Sequence, residues 1–145
     1  MRILCPLPHS ADRLSLAFQR LLNVCMLNAG DWMREHPLPL LYTTQIQYKP
    51  EPWAGQGDDP VEEFANPYDV LKRGWGDCDD LVIYRGGELI ARGFPCHARI
   101  LHQQETNKYH TQLTRDFDGI IEDPALQRLG KPYVQFPPNK PQVTT

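Results

Sequence analysis

The sequence predicts an α+β domain, in which helices pack on a small antiparallel sheet. Apolar residues recur at three- and four-residue spacing between positions 10 and 30 and again after position 77, which indicates two amphipathic helices. Three short segments between positions 94 and 124 have strand composition and are separated by turn residues, which indicates an antiparallel meander. The sheet is therefore expected in the second half of the chain.

The first helix is predicted to begin after Ser10, which suits the N-cap position, and to end at Gly30. Its core face is formed by Leu14, Phe18, Leu21, Leu22 and Cys25. The next segment, "DWMREHPLP", predicts a separate turn of helix that its prolines end, and "LYTTQIQY" (residues 41–48) predicts a strand.

Residues 49–67 are rich in proline, glycine and acidic side chains, and predict a long surface loop with one helical turn at Val61–Phe64. "YDVLKRGWG" then predicts a short helix. A longer helix follows from Asp77, which suits the N-cap position, to Gly93. Gly86 and Gly87 inside it each cost about 1 kcal/mol of helix propensity relative to alanine, so another element is expected to approach closely there.

Composition limits the classes of function. With 145 residues, of which 41% are hydrophobic, the chain predicts one domain over residues 1–130 with a real core. A net charge of -3 and dispersed basic residues argue against a nucleic-acid partner. No apolar run approaches the ~20 residues that a membrane span needs, and the N-terminus lacks a signal-peptide core. Four scattered cysteines without a CxxC pair predict reduced thiols and a cytoplasmic location.

The last fifteen residues, "KPYVQFPPNKPQVTT", contain four prolines and show no amphipathic period. Residues 131–145 are therefore predicted to form an extended tail, which could bind an assembly partner.

The motif "GWGDCDDL" places Cys78 at the first position of the second helix. Asp77 as N-cap and Asp80 three residues later can form a capping box. The helix dipole and the N–H groups of the first turn stabilise a thiolate at this position. The carboxylates of Asp77, Asp79 and Asp80 oppose that effect unless they point away to cap the helix or to form pairs.

A cysteine nucleophile also needs a base and a group that orients the base. If the turn at 116–119 closes a hairpin, Arg115 pairs with Ile120, and Asp123 falls on the same sheet face as His110, diagonally across the strands. Such diagonal neighbours are about 7–8 Å apart between Cα atoms, which an imidazole and a carboxylate can bridge. This arrangement can activate a thiol and hold the imidazole in one tautomer.

Four segments resemble the transglutaminase-like superfamily, in the small bacterial and phage versions with a GDC(D/E)D motif: "GWGDCDDL", "GELIARGFPCHARI", "YHTQL" and "IIEDPA". The resemblance covers about residues 42–126. It implies a papain-like fold in which the N-terminal helix and the cysteine-bearing helix pack on the sheet. It further implies Cys78 as nucleophile, His110 as base and Asp123 as the orienting carboxylate.

The oxyanion of an acyl-transfer reaction needs two donors, and the backbone N–H of Cys78 supplies one. The resemblance implies an indole upstream of the cysteine as the second, for which Trp53 is the first choice. The phenol of Tyr48 and the amide of Gln47 remain alternatives.

The expected function is cysteine acyl transfer on a protein or peptide substrate, without a cofactor, and with hydrolysis favoured over crosslinking. A zinc site made of Cys78, His110 and Asp123 is a weaker interpretation, because these are single ligands from distant elements. "GDDPVEE" could bind Ca²⁺ but lacks a recognisable ligand loop. The main alternative is a structural or assembly component that keeps the fold with an unused triad. A phage virion or tail protein is an example, and its location would then be the virion.

Overall fold

The computed structural model describes residues 3–6, 11–50, 61–103, 108–128 and 134–135. Within them lie four α-helices: α1 (Ala11–Glu35), α2 (Pro67–Arg73), α3 (Cys78–Ala91) and α4 (Pro124–Arg128). The strands are β1 (Ile3–Pro6), β2 (Gln47–Tyr48), β3 (Val61–Phe64), β4 (Trp75–Gly76), β5 (Cys96–Gln103), β6 (Lys108–Arg115), β7 (Ile121–Glu122) and β8 (Val134–Gln135). The mixture of helices and small sheets confirms the predicted α+β class.

The largest sheet has the strand order β5-β6-β7-β8, and all its pairs are antiparallel. Leu113 pairs with Glu122, and the N–H of Arg115 donates to the carbonyl of Ile120 at 2.8 Å. The predicted meander and its register are therefore confirmed. Strand β8 lies within the predicted tail of residues 131–145 and pairs with β7.

Helices α1 and α3 pack against each other and against β5 and β6. α3 is buried over most of its surface, including the run from Asp79 to Tyr84 and the run from Gly86 to Ile90. One apolar cluster fills the space between α1, α3 and the sheet, and contains Phe18, Leu22, Met26, Phe64, Val82 and Leu113. No helix in the described ranges combines the length and the apolarity that a membrane crossing requires.

The predicted end of the first helix at Gly30 is wrong, because α1 continues to Glu35 and includes the segment expected to be a separate turn. Gly30 permits close helix packing rather than termination. A Cβ atom at this position would lie 2.5 Å from Cγ2 of Ile90 on α3. The helix ends just before the residue that precedes Pro37, where a following proline disfavours helical backbone.

The expected close approach to Gly86 and Gly87 is confirmed, and the approaching element is α1. A Cβ atom on Gly86 would meet Met26 at 2.8 Å, and one on Gly87 would meet Ala29 at 3.0 Å. The absence of side chains at these glycines lets the two helices pack at short range, and this packing compensates for the poor helix propensity of glycine.

Two other expectations differ from the structure. Residues 41–48 contain a 3-10 turn at Leu41–Thr43, and only Gln47–Tyr48 forms a strand. Leu41 is drawn into the core, where its backbone N–H donates to the carboxylate of Glu88. Val61–Phe64 is strand β3, paired antiparallel with β1, rather than a helical turn. Residues 51–60 of the predicted loop lie outside the described residues.

We expect Gly30→Ala to destabilise the protein by about 2 kcal/mol, because the added Cβ atom would lie 2.5 Å from Cγ2 and 2.8 Å from Cβ of Ile90, and the two helices would have to shift apart. The exposed Leu27 lies on the same helix, and Leu27→Ala should change stability by at most about 0.5 kcal/mol. Urea unfolding measures both effects. Equal stability of the two variants would contradict the close packing of α1 on α3.

Candidate active site

Helix α3 begins with the capping box that the sequence predicts. The N–H of Asp80 donates to Oδ1 of Asp77 at 2.9 Å, and the N–H of Asp77 donates to Oδ2 of Asp80 at 3.2 Å. The two carboxylates satisfy first-turn donors that have no partner within the helix. Cys78 is therefore held at the first helical position.

The carboxylate of Asp80 also joins two other segments to the start of α3. It is fully buried, and it accepts hydrogen bonds from the N–H of Ala65 at 2.9 Å and from Nη2 of Arg73 at 2.7 Å. The guanidinium of Arg73 lies 3.8 Å from the centre of the Trp75 ring and donates to the Trp75 carbonyl. The chain that leads into Cys78 is thus fixed on several sides.

Strand β2 runs parallel to β4, directly upstream of the cysteine. Tyr48 lies opposite Gly76, and the N–H of Lys49 donates to the Gly76 carbonyl at 2.9 Å. Burial raises the pKa of the Tyr48 phenol, and the nearby Cys78 and Asp77 raise it further. Tyr48 and Cys78 also pack against the same buried apolar cluster.

The other two residues suggested as oxyanion donors stand differently. Gln47 is exposed in β2. Trp53 lies outside the described residues, so the expected indole remains an expectation.

His110 on β6 and Asp123 after β7 are in direct contact. Nε2 of His110 lies 2.5 Å from Oδ2 of Asp123, which is completely buried. The same oxygen accepts a hydrogen bond from Nε2 of Gln112 at 3.1 Å, and Oδ1 accepts one from the N–H of Leu126. Burial alone would raise the pKa of Asp123, but the hydrogen bonds from His110, Gln112 and Leu126 outweigh it and hold this pKa below its usual value.

The sulfur of Cys78 lies 3.9 Å from Oδ1 of Asp79, and the same oxygen accepts a hydrogen bond from the hydroxyl of Thr111, the residue that follows His110 in β6. The start of α3 therefore lies next to the strand that carries His110, whose imidazole contacts Asp123.

The electrostatic balance at the thiol is opposite to the one that the helix dipole favours. Burial raises the pKa of Cys78 well above its usual value, and Asp79 and Asp77 raise it further, while Thr111 only partly opposes them. Asp77 and Asp80 cap the helix, but Asp79 points toward β6, where it accepts a hydrogen bond from the Thr111 hydroxyl and lies 3.9 Å from the sulfur. The resting cysteine is therefore a protonated thiol at neutral pH.

A buried charged cluster lies behind Asp123 and fixes strand β7. Glu122 accepts hydrogen bonds from Nε of Arg85 at 3.0 Å and from the Tyr42 hydroxyl at 2.7 Å, and Arg115 approaches it at 3.3 Å. Arg85 also pairs with Glu88 on its own helix at 3.0 Å. This cluster connects α3 to the residue that directly precedes Asp123.

A second histidine–aspartate pair and a second cysteine lie outside this site. His97 pairs with Asp116 at 2.6 Å at an exposed position of the sheet. Cys96 packs against the core, and burial raises its pKa to about 12. Within the described part of the chain no three His, Cys, Asp or Glu residues are arranged to hold a metal ion.

Comparison with known proteins supplies no relative. No protein-family model, curated protein or solved structure matches this chain. The chemistry of the site is therefore inferred from its own geometry, together with the motif resemblance.

Sequence reasoning missed two contributors to the site. Gln112 lies two positions from His110 and pairs toward Asp123 in the predicted register, so the signal for it was present in the alternation of the strand. Thr111 points to the opposite face, and its contact with Asp79 depends on how α3 sits on the sheet. No local pattern indicates that contact.

We expect Asp80→Asn to lower the free energy of unfolding by about 3 kcal/mol, because it leaves the largely buried charge of Arg73 without its fully buried partner. The matched control is Asp31→Asn, which breaks an exposed Asp–Arg pair with Arg34. That change should cost at most about 0.5 kcal/mol. Urea denaturation compares the two. Similar losses would show that the carboxylate of Asp80 is not a structural centre.

We expect Asp79→Asn to speed the alkylation of Cys78 by iodoacetamide at neutral pH. Removal of a negative charge beside the sulfur lowers the pKa of the thiol, and each unit of decrease raises the thiolate fraction about tenfold below that pKa. The rate is followed by mass spectrometry of the Cys78 peptide, with Asp31→Asn as the control. A rate unchanged from the wild-type rate between pH 6 and 9 would contradict the proximity of Asp79.

Proposed function

We propose that the protein is a transglutaminase-like cysteine acyl-transfer enzyme that hydrolyses an amide or peptide bond of a protein or peptide substrate. The observation that supports this most directly is the 2.5 Å contact between His110 and Asp123, in a chain that also holds a cysteine at the first position of a capped helix. The packing of α1 and α3 on the antiparallel sheet agrees with a papain- or transglutaminase-like core. No nucleic acid, membrane span or cofactor is part of the proposal.

The roles follow from the chemistry of the contacts. Asp123 accepts the Nε2 proton of His110, which fixes the tautomer in which Nδ1 is the basic nitrogen. In this proposal Nδ1 receives the proton of the Cys78 thiol. Asp123 has a lowered pKa and therefore stays ionised, so it can stabilise the imidazolium that forms.

The proposed reaction proceeds in two balanced stages. The sulfur of Cys78 attacks the carbonyl carbon of the substrate while its proton passes to His110. His110 then protonates the leaving nitrogen, the C–N bond breaks, and ammonia or an amine departs from a thioester. Water attacks the thioester, gives one proton to His110 and releases the acid, and the thiol regains its proton.

Two donors can stabilise the oxyanion in this scheme. The N–H of Cys78 belongs to the first turn of α3 and has no acceptor within the helix. The Tyr48 hydroxyl is the second donor in this proposal, because Tyr48 packs against the same apolar cluster as Cys78 and the raised pKa of its phenol keeps it protonated. Trp53, which the sequence offered first for this role, lies outside the described residues, and its indole stays an expectation.

The protonated resting thiol gives His110 a larger part in the mechanism. Because burial and Asp79 disfavour a stored thiolate, the proton must leave as the sulfur attacks. General-base catalysis of this kind contributes roughly 10²–10⁴-fold to a rate. The site thus depends more on its base than an enzyme with a preformed thiolate does.

A pair of histidine variants tests the proposal. Ammonia release from a glutaminyl peptide and new amino termini from a peptide library are measured for the wild-type protein. We expect Cys78→Ala to abolish activity and His110→Ala to lower kcat by about 10²-fold or more. His97→Ala removes a histidine that also pairs with an aspartate, but away from the site, and should stay near the wild-type rate. Equal losses in the two histidine variants would refute the assignment.

The alternative function is a structural or assembly component, such as a phage virion or tail protein, with an unused triad. The raised pKa of Cys78 is the observation that favours it, since an idle cysteine needs no activation. The same experiment separates the two functions. Absence of both activities in the wild-type protein, together with alkylation of Cys78 that His110→Ala leaves unchanged, would favour the structural component.

A further inference from the structure

Gln112 has contacts that add a fourth residue to the proposed site of Cys78, His110 and Asp123. It is 3% exposed and lies on the same face of β6 as His110. Its amide nitrogen donates to Oδ2 of Asp123 at 3.1 Å, the same oxygen that lies 2.5 Å from His110. One carboxylate oxygen is therefore held by both side chains.

The other end of the Gln112 amide is unsatisfied. Its Oε1 is the one side-chain polar atom that is buried without a hydrogen-bond partner among the residues that the structure describes. The reversed amide would place this oxygen against the Asp123 carboxylate, so the observed orientation is the electrostatically favoured one. An unsatisfied buried acceptor is unfavourable for stability, and an apolar side chain of similar size would avoid it.

The two ends together indicate why a glutamine stands here. The residue accepts an unfavourable burial at one end and donates a hydrogen bond to the orienting carboxylate at the other. Asp123 already receives the N–H of Leu126 on its second oxygen, as the N-cap of α4. The amide of Gln112 therefore fixes the rotation of the carboxylate about its own axis, and with it the direction in which His110 is held.

We propose that Gln112 is a positioning residue that aligns Asp123, and through it His110, for the abstraction of the Cys78 proton. The inference rests on the proposed function. Gln112 touches neither the sulfur nor the substrate in this scheme, and it acts only through the carboxylate.

A double-mutant cycle tests this role, with the pH-dependent alkylation of Cys78 by iodoacetamide as readout. The variants are Gln112→Met, Asp123→Asn and their combination, and Thr114→Val on the same strand face is the control. We expect Gln112→Met to slow alkylation at neutral pH roughly tenfold, as loss of an outer supporting hydrogen bond does in other sites. It should have no further effect in the Asp123→Asn background, whereas Thr114→Val should match the wild-type protein. Independent, multiplicative effects of the two substitutions would overturn the proposal.

Gln112→Glu supplies the conservative variant. Its carboxylic acid can donate to Asp123 while protonated, so we expect the wild-type rate at low pH and a loss as the added group ionises. A loss at every pH, in a protein with an unchanged circular dichroism spectrum, would also overturn the proposal. Failure of the proposed function is recognised separately, because then His110→Ala leaves the alkylation profile of Cys78 unchanged.

Discussion

The structure around the site depends on one buried carboxylate. Asp80 receives a hydrogen bond from Asp77 at the start of α3, one from Ala65 after β3, and an ion pair from Arg73 at the end of α2. Three successive segments of the chain therefore meet at one acceptor with no exposed surface. The position of the cysteine is a consequence of this junction, because the first turn of α3 cannot shift unless all three contacts break.

Cys78, the proposed nucleophile, is subject to two opposing electrostatic effects, and the direction in which each nearby carboxylate points decides how that carboxylate acts on the thiol. Three aspartates surround Cys78, but two of them cap the helix, and only the direction of Asp79 adds a charge beside the sulfur that no cap uses. Burial has the largest effect and acts with Asp79 against the helix dipole. On the other side, Asp123 keeps its ionised form in spite of burial, because three donors hold it. Under the proposed roles, the site combines a thiol that resists ionisation with a histidine whose carboxylate partner stays ionised.

The sequence predicted best what depends on alternation and on local backbone chemistry. The register that joins His110 to Asp123 follows from strand parity and one turn, and the capping box follows from the spacing of Asp77 and Asp80. The sequence predicted poorly those features that depend on a contact with a residue far away in the chain. Gly30 has the residue type of a helix end, but its role is to let α1 pack closely on Ile90. Residues 41–43 form a turn in place of a strand, and the Leu41 N–H donates to Glu88. The orientation of Asp79 toward Thr111 belongs to the same class of long-range contacts.

The protonated state of the thiol has a consequence for the survival of the protein in oxidising surroundings. Peroxides react with thiolates far faster than with thiols, so a cysteine whose charged form is suppressed resists conversion to sulfenic acid. Cys96, with a pKa of about 12, is protected in the same way. Burial and the charge of Asp79, which suppress the thiolate form of Cys78, would therefore also protect this cysteine from oxidation.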